Sequence, residues 1–440
     1  MDYLAEYKRK LTTAEEAVAA IPHGTSLVVA FAIAEPPALL RAIADRARAG
    51  DLHDLRTYYM LAFQHAADTI LAPDVAPFTN PHSLFEGSFD RALDLAGQQR
   101  QRHLLSFIPN NFSQIPRLLR DYIPVDVFVA TVSPMDKAGY FTLGASNDYG
   151  STAARCCKRL IVEVNRYMPR VFGDSLVHVT EVDAIVENDV PLIEVPPHPE
   201  RPEDAVIGKA IAALVPDGAT LQLGIGGIPD AVARSLRDHK DLGIHTELLS
   251  NGMLDLIERG VATGRKKTLH RGKHVFTNAM GTSHLYEFID DNPSVESYPV
   301  WHTNDPAVAA QNDDFVSINS IIEVDLTGQC NAEVLSGHQY SGTGGQLDFV
   351  RAAFASKGGK SFLAFYSTAH NGEISRVVPR LGSGAVVTTP RMDVQYLVTE
   401  HGLVDLKGKS LRERALSIIA LAHPKFRDDL LREAAALGLA

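Results

Sequence analysis

Residues His23 to Arg46, HGTSLVVAFAIAEPPALLRAIADR, and Asp217 to His239, DGATLQLGIGGIPDAVARSLRDH, are two versions of one segment. Allowing one gap, Gly24 matches Gly218, Pro36 matches Pro229, Arg41 matches Arg234 and Asp45 matches Asp238. Each copy reads as a turn, an apolar run of strand length, a loop with proline and an amphipathic helix. Both copies then continue through Asp-Leu (Asp51, Leu52 and Asp241, Leu242) into another strand. A strand that feeds a helix that feeds a strand is the unit of a parallel sheet, because parallel neighbours need a crossover. A chain carrying that unit twice is expected to fold as two tandem open α/β domains.

Later segments extend the repeat. VDVFVATVSPMDKAGYFTLGAS, 125 to 146, and FVSINSIIEVDLTGQCNAEVLSG, 315 to 337, both run strand, Asp-x-x-Gly turn, strand, pairing Asp136 and Gly139 with Asp325 and Gly328. Each is followed by a glycine-bearing loop, an Ala-rich helix and a β run. The proline- and charge-rich stretch IEVPPHPERPED has no periodicity and is the best linker. The expected organisation is a first domain over 1–192, a linker over 193–204 and a second domain over 205–440. The facing edges of the two domains would form a cleft for the active site. At 440 residues the chain is too long for one ordinary core, which agrees with two.

Composition removes several function classes. No apolar run reaches the ~18 residues of a membrane helix, and MDYLAEYKRKLTTAEEAVAAI reads as the helical start of a mature cytoplasmic chain. Cys156, Cys157 and Cys330 do not make a disulfide framework, and no Cys-x-x-Cys or His-Glu-x-x-His pattern predicts a metal site. A net charge of −11 argues against nucleic acid as a partner.

The chemistry concentrates in the second copy. GIGGIPDA, Gly224 to Ala231, lies between a strand and a helix, where glycines let backbone N–H groups approach a phosphate or an oxyanion. The equivalent loop of the first copy, AFAIAEP, has no glycine. SGHQYSGTGGQLDF places Gly342, Gly344 and Gly345 before another helix. Between these loops in the chain, GIHTELLSNGM has the apolar look of a strand yet carries Glu247, and a buried carboxylate there needs a reason. A nucleophile or base beside N–H donors is one reading, and a half-exposed strand residue is the other. SKGGKS, 356 to 361, lacks the order of a P-loop and reads as a helix C-cap, with Lys357 and Lys360 free to meet an anion.

HTELLSNGMLDLIERG, EVDLTGQCNAE, SGTGGQLDFVRAAFASKGGKS and TEHGLVDLKGKSLRERALSIIALAHPKFRDDL resemble the acetyl-CoA hydrolase/transferase family, most closely its 4-hydroxybutyrate or butyrate CoA-transferase branch. The likeness spans about Tyr7 to Leu431. It implies CoA-transferase-like domains and ping-pong transfer of coenzyme A from a short-chain acyl-CoA to a free carboxylate, of the acetate, butyrate or 4-hydroxybutyrate type. Coenzyme A would be a co-substrate, with no metal or other cofactor. In this resemblance Glu247 is the nucleophile, Gly226 and Gly227 lie nearest the chemistry, and Gly224 and Ile225 complete the CoA loop. The family's second glycine loop falls on Gly342, Gly344 and Gly345, and Lys357 and Lys360 become candidates for the CoA phosphates. SNDYGSTAA, 146 to 154, matches the family's Ser-x-Asp-Tyr segment, whereas AFAIAEP departs from the expected glycine- and histidine-bearing version. Phe31, Glu35 and Asn319 are the substrate-pocket candidates, strand polarity being the other account of Asn319. A homodimer with contacts on the helices from Leu411 to Leu439 is implied by resemblance alone.

Three other functions fit parts of the pattern. Water attacking a glutamyl-CoA thioester would make the same scaffold a hydrolase. A non-catalytic CoA-binding protein would keep the glycine loops and lose Glu247, and a dinucleotide enzyme would need the third glycine that Gly224-x-Gly226-Gly227 lacks.

Overall fold

The computed structural model describes residues 2–440, which divide into two units: 2–195 with 277–301, and 196–276 with 302–440. The first crossing, between Val195 and Pro196, falls inside the expected linker. Residues 277–301, expected in the second domain, belong instead to the first unit. Backbone bonds show why: Asn147 N–H donates to Thr277 O, and Val195 N–H donates to Gly281 O.

The first unit is built on a seven-stranded sheet in the order Ala184–Glu187, Arg159–Val164, Val127–Val132, Ser26–Val29, Arg56–Tyr59, Pro81–Ser83, Ser106–Phe107, with every pairing parallel. Its inner strands are apolar on both faces, as a sheet covered by helices requires. Leu27, Val29, Val127, Val129 and Ile161 pack with Leu39, Leu40 and Ile43 of the helix Pro37–Arg48.

In the second unit the strands run Tyr396–Thr399, Lys360–Ala364, Phe315–Ser320, Thr220–Leu223, Gly243–Leu249 in parallel, and Gly402–Asp405 closes one edge antiparallel. Five positions correspond in order between the two units, with Ser26–Val29 and Thr220–Leu223 in the equivalent central place. The turns repeat as well. Gly24 and Gly218 precede their strands at φ +70° and +86°, and Gly139 and Gly328 sit at +88° and +93° in turns where Asp136 and Asp325 accept backbone N–H bonds. The internal repeat read from the sequence is therefore a repeat of topology.

Among the described residues no helix is long and apolar enough to cross a membrane, and no group of three or more His, Cys, Asp or Glu is placed to hold a metal ion. SKGGKS ends the helix Gln346–Ala355 at Ser356, with Gly358 at φ +76°, as a C-cap does.

Candidate active site

In both units the chain leaves the central strand for one neighbour and later returns to the other side, so each sheet has a switch point where a crevice opens at the C-terminal strand ends. In the second unit that point lies between Thr220–Leu223 and Phe315–Ser320. The Gly224–Gly227 loop rises from it. Gly226 has φ +116°, which favours glycine, and nothing stands within 4 Å of where its Cβ would be. Gly226 also begins the helix Gly227–Ser235 without a side-chain cap, so the first-turn N–H groups have no side-chain acceptor from it.

Beneath the loop, Asn319 Nδ2 donates to Gln222 Oε1 at 3.0 Å and to Ser317 Oγ at 2.9 Å. Its Oδ1 accepts from Gln222 Nε2 at 3.2 Å and lies 3.3 Å from a Cβ built on Gly224. Asn319 therefore spends its polar atoms on the cluster that supports the glycine loop, and the substrate-pocket expectation for it is corrected.

Glu247 stands on the neighbouring strand. Thr220 pairs with Gly243 and Leu221 with Ile244, and the same register carried forward sets Glu247 level with Gly224. Every other residue of Gly243–Leu249 is buried, while Glu247 keeps a narrow exposure within dense surroundings. Its Oε2 accepts a 2.6 Å hydrogen bond from Asn304 Nδ2, and a second bond comes from the Gly345 amide. Burial pushes the carboxyl up to about 7; Asp348 adds to the rise, while Asn304 and the Gly345 amide oppose it. Both of these hydrogen bonds come from neutral amides, which hold the desolvated carboxylate without neutralising its charge, and that suits a nucleophile. Gly345 is tightly placed: a Cβ there would fall under 3.0 Å from both Glu247 Oε2 and Asn304 Nδ2.

Family models supply the comparison that decides the family. Residues 1–196 match the acetyl-CoA hydrolase/transferase N-terminal domain and residues 281–434 match the C-terminal domain. The chain belongs to the acetyl-CoA hydrolase/transferase family. It is 44% identical to a succinyl-CoA:cyclohexane-1-carboxylate CoA transferase of Geobacter metallireducens, over 98% of this chain and 96% of that one. It is also 44% identical to a 4-hydroxybutyrate coenzyme A transferase of Clostridium kluyveri, over 98% of this chain and 99% of that one. The crystal structure of RipA from Yersinia pestis superposes with a TM-score of 0.97 at 53% identity and covers 100% of both chains. With these full-length relatives named for CoA transfer, this family member is an enzyme of the CoA-transferase class. Glu247 and Gly224–Gly227 lie between the two spans that the family models match, in a stretch that the full-length relatives cover.

Other expectations for this family member need correction. Lys357 and Lys360 sit at the N-terminal edge of the sheet, Lys360 opening its strand opposite Val316 and Lys357 lying 3.5 Å from Asp313. The glycine loop is at the other edge, so neither lysine is placed for a ligand bound there. Phe31 and Glu35 belong to the first unit. Phe31 is buried against Phe112, with ring centroids 6.0 Å apart. Glu35 is buried with both oxygens occupied, accepting from Phe63 N–H at 2.7 Å and Ala66 N–H at 3.0 Å. Burial raises its carboxyl to about 8, against the pull of those two amides. It pins the turn at Gln64–Ala67. Glu35→Ala is accordingly expected to destabilise the fold by about 2–5 kcal/mol, the cost of two orphaned buried amides, read as a lower midpoint in chemical denaturation.

The structure also brings forward residues that sequence reasoning did not select. Asn304 and His245 complete the setting of Glu247. A cavity of about 790 Å³ opens next to the glycine loop, lined in part by Arg201, Tyr366, His370, Arg376, His401 and His423. Tyr366 joins it to the loop, its hydroxyl donating to Asp204 at 2.6 Å and lying 3.5 Å from a Cβ built on Gly227.

Proposed function

We propose that this enzyme moves coenzyme A from a short-chain acyl-CoA to a free carboxylate by a ping-pong route through Glu247. The observation that carries the reading is the Glu247 carboxylate itself, desolvated, held by Asn304 and Gly345 and level with the glycine loop. Glu247 attacks the thioester carbonyl, the C–S bond breaks, and an acyl-glutamyl anhydride forms with release of CoA thiolate. The thiolate then attacks the glutamyl carbonyl and expels the first acid as its carboxylate, leaving a glutamyl-CoA thioester. A second carboxylate attacks that thioester, the thiolate leaves again, and its return to the new acyl carbonyl frees Glu247. One thioester replaces another throughout, so the overall free-energy change is small. N–H groups of Gly226, Gly227 and Gly345 are the donors available to the tetrahedral oxyanions, each worth about 3–4 kcal/mol where such donors have been removed.

Arg201 and Arg376 at the cavity replace Lys357 and Lys360 as the partners proposed for the CoA phosphates. Arg376 has a buried Nε without a hydrogen-bond partner, which fits a guanidinium set for an anion. Three strand spacings, about 14 Å, separate the Glu247 strand from the strand that leads to Tyr366. That span suits coenzyme A, whose thiol and nucleotide lie at opposite ends of an extended arm. Lys357→Ala with Lys360→Ala is expected to leave KM for the CoA ester within about twofold, while Arg376→Ala raises it about tenfold or more.

Only ionised Glu247 can attack. With its carboxyl raised to about 7, kcat/KM is expected to fall as pH drops below about 7, following a single acid limb, and to level above it. A limb near the ordinary carboxylate value would contradict a desolvated nucleophile.

The decisive experiment mixes the enzyme with butyryl-CoA and isotopically labelled acetate and follows both CoA species by mass spectrometry. Labelled acetyl-CoA without free CoA is the expected result. Free CoA accumulating alone would replace the proposal with hydrolysis by the same glutamate.

A further inference from the structure

His245 lies two residues before Glu247 on the same strand, and residues i and i+2 of a strand share a face. It is completely buried. Its Nε2 lies 2.8 Å from the Thr303 carbonyl, the residue next to Asn304. A carbonyl only accepts, so Nε2 carries the proton and the ring is fixed in one tautomer. Nδ1 is then an unprotonated nitrogen, buried without a hydrogen-bond partner. Burial holds the imidazole neutral, and Lys267 adds to that, its ammonium donating to the Ile244 carbonyl at 2.8 Å. The ring edge meets Phe315 at 6.1 Å between centroids, which leaves little room for another rotamer.

Two adjacent residues of the strand face thus grip two adjacent residues of the segment after His302: His245 holds Thr303 by its carbonyl, and Glu247 receives the amide of Asn304. Asn304 has a fully buried side chain whose Oδ1 has no partner, so its position is set by this backbone grip and by Glu247 rather than by other side-chain bonds of its own amide oxygen. We propose that His245 is a positioning residue for the transfer reaction, acting through Thr303 to aim the Asn304 amide at Glu247. The proposal rests on the reading of Glu247 as the nucleophile.

The test compares His245→Gln with His245→Asn. Both remove the ring, but the glutamine amide nitrogen reaches as far as Nε2, whereas the asparagine amide stops at the depth of Nδ1. With labelled acetate and butyryl-CoA as substrates, H245N is expected to lower kcat about tenfold to a hundredfold with KM for butyryl-CoA little changed, the cost of a misaimed group of about 1 Å. H245Q is expected to stay within about threefold of the unchanged enzyme. The acid limb of the pH profile is expected to move upward in H245N and in Asn304→Ala, since both weaken a bond that favours the carboxylate, and the two changes together are expected to cost little more than N304A alone. Equal kcat for H245Q and H245N, an unmoved acid limb, or additive losses with N304A would overturn the proposal. Glu247→Gln measured alongside separates the two claims: full activity in E247Q removes the nucleophile reading itself, whereas an inactive E247Q with equal H245Q and H245N removes only the role given to His245.

Discussion

Glu247→Gln is expected to lower transfer by at least about a thousandfold, because covalent nucleophiles contribute on that scale or above. The folded state and the binding of CoA esters are expected to survive. The amide is nearly isosteric, and its oxygen can still accept from Asn304 Nδ2. The same variant has an opposite and measurable effect on stability. Glu247 is raised to about 7 in the folded protein from an ordinary value near 4.5, so the folded state holds that proton more tightly than the unfolded chain does. A raised carboxyl contributes its full stability below the unfolded value and loses it as pH rises through the folded one. E247Q has no charge to desolvate, so its melting temperature is expected to exceed that of the unchanged enzyme at pH 8, with the gap closing by pH 4.5. Inactivity without that pH-dependent gap would mean that the carboxylate is not desolvated, and the physical account of its reactivity would fall with it. Retention of more than about a tenth of the activity would remove the mechanism itself.

What could be read before the structure follows from how far each signal travels along the chain. The repeat was legible because its marks are local. Gly24 and Gly218 occupy turns with positive φ, and Asp136 and Asp325 accept from amides two and four residues on. Glu247 was legible because a charge inside GIHTELL contradicts its own surroundings. Asn304 and His245 were not, since neither is unusual where it stands: the Asn304 bond joins residues 57 apart and the Thr303 bond residues 58 apart. Lys357 and Lys360 were misplaced for a geometric reason. They follow the second glycine loop by a dozen residues, and the ten-residue helix Gln346–Ala355 between them carries the chain back about 15 Å, to the opposite edge of the sheet. Closeness in sequence to a ligand loop is no guide to side once a crossover helix intervenes. Glu35 shows the converse error, a buried carboxylate taken for a ligand group when two backbone amides already use both its oxygens.

Gly345→Ala is the second change with a large expected effect, and its cause can be isolated. The residue has φ −94°, which any amino acid adopts, so the substitution brings no backbone strain. The whole effect must come from space, because the new methyl would stand under 3.0 Å from Glu247 Oε2 and Asn304 Nδ2. Either the carboxylate swings away from its amide donors or the start of the helix Gln346–Ala355 moves, and both displace the nucleophile from the Gly345 N–H. A displacement of about 1 Å at a reacting group can cost a hundredfold, so kcat is expected to fall by about that factor or more. Overpacking of this kind costs about 1–3 kcal/mol of stability, measured as a shift of the denaturation midpoint. Gly226→Ala provides the contrast. Nothing lies within 4 Å of its Cβ position, but its φ of +116° resists a side chain, so its penalty is backbone strain with no collision at Glu247. Shortening the carboxylate distinguishes the two causes. Glu247→Asp withdraws the oxygen from the Gly345 methyl, so the G345A/E247D pair is expected to regain stability relative to G345A alone, whereas E247D restores nothing to G226A. Strict additivity of G345A with E247D would show that the methyl and the carboxylate never meet.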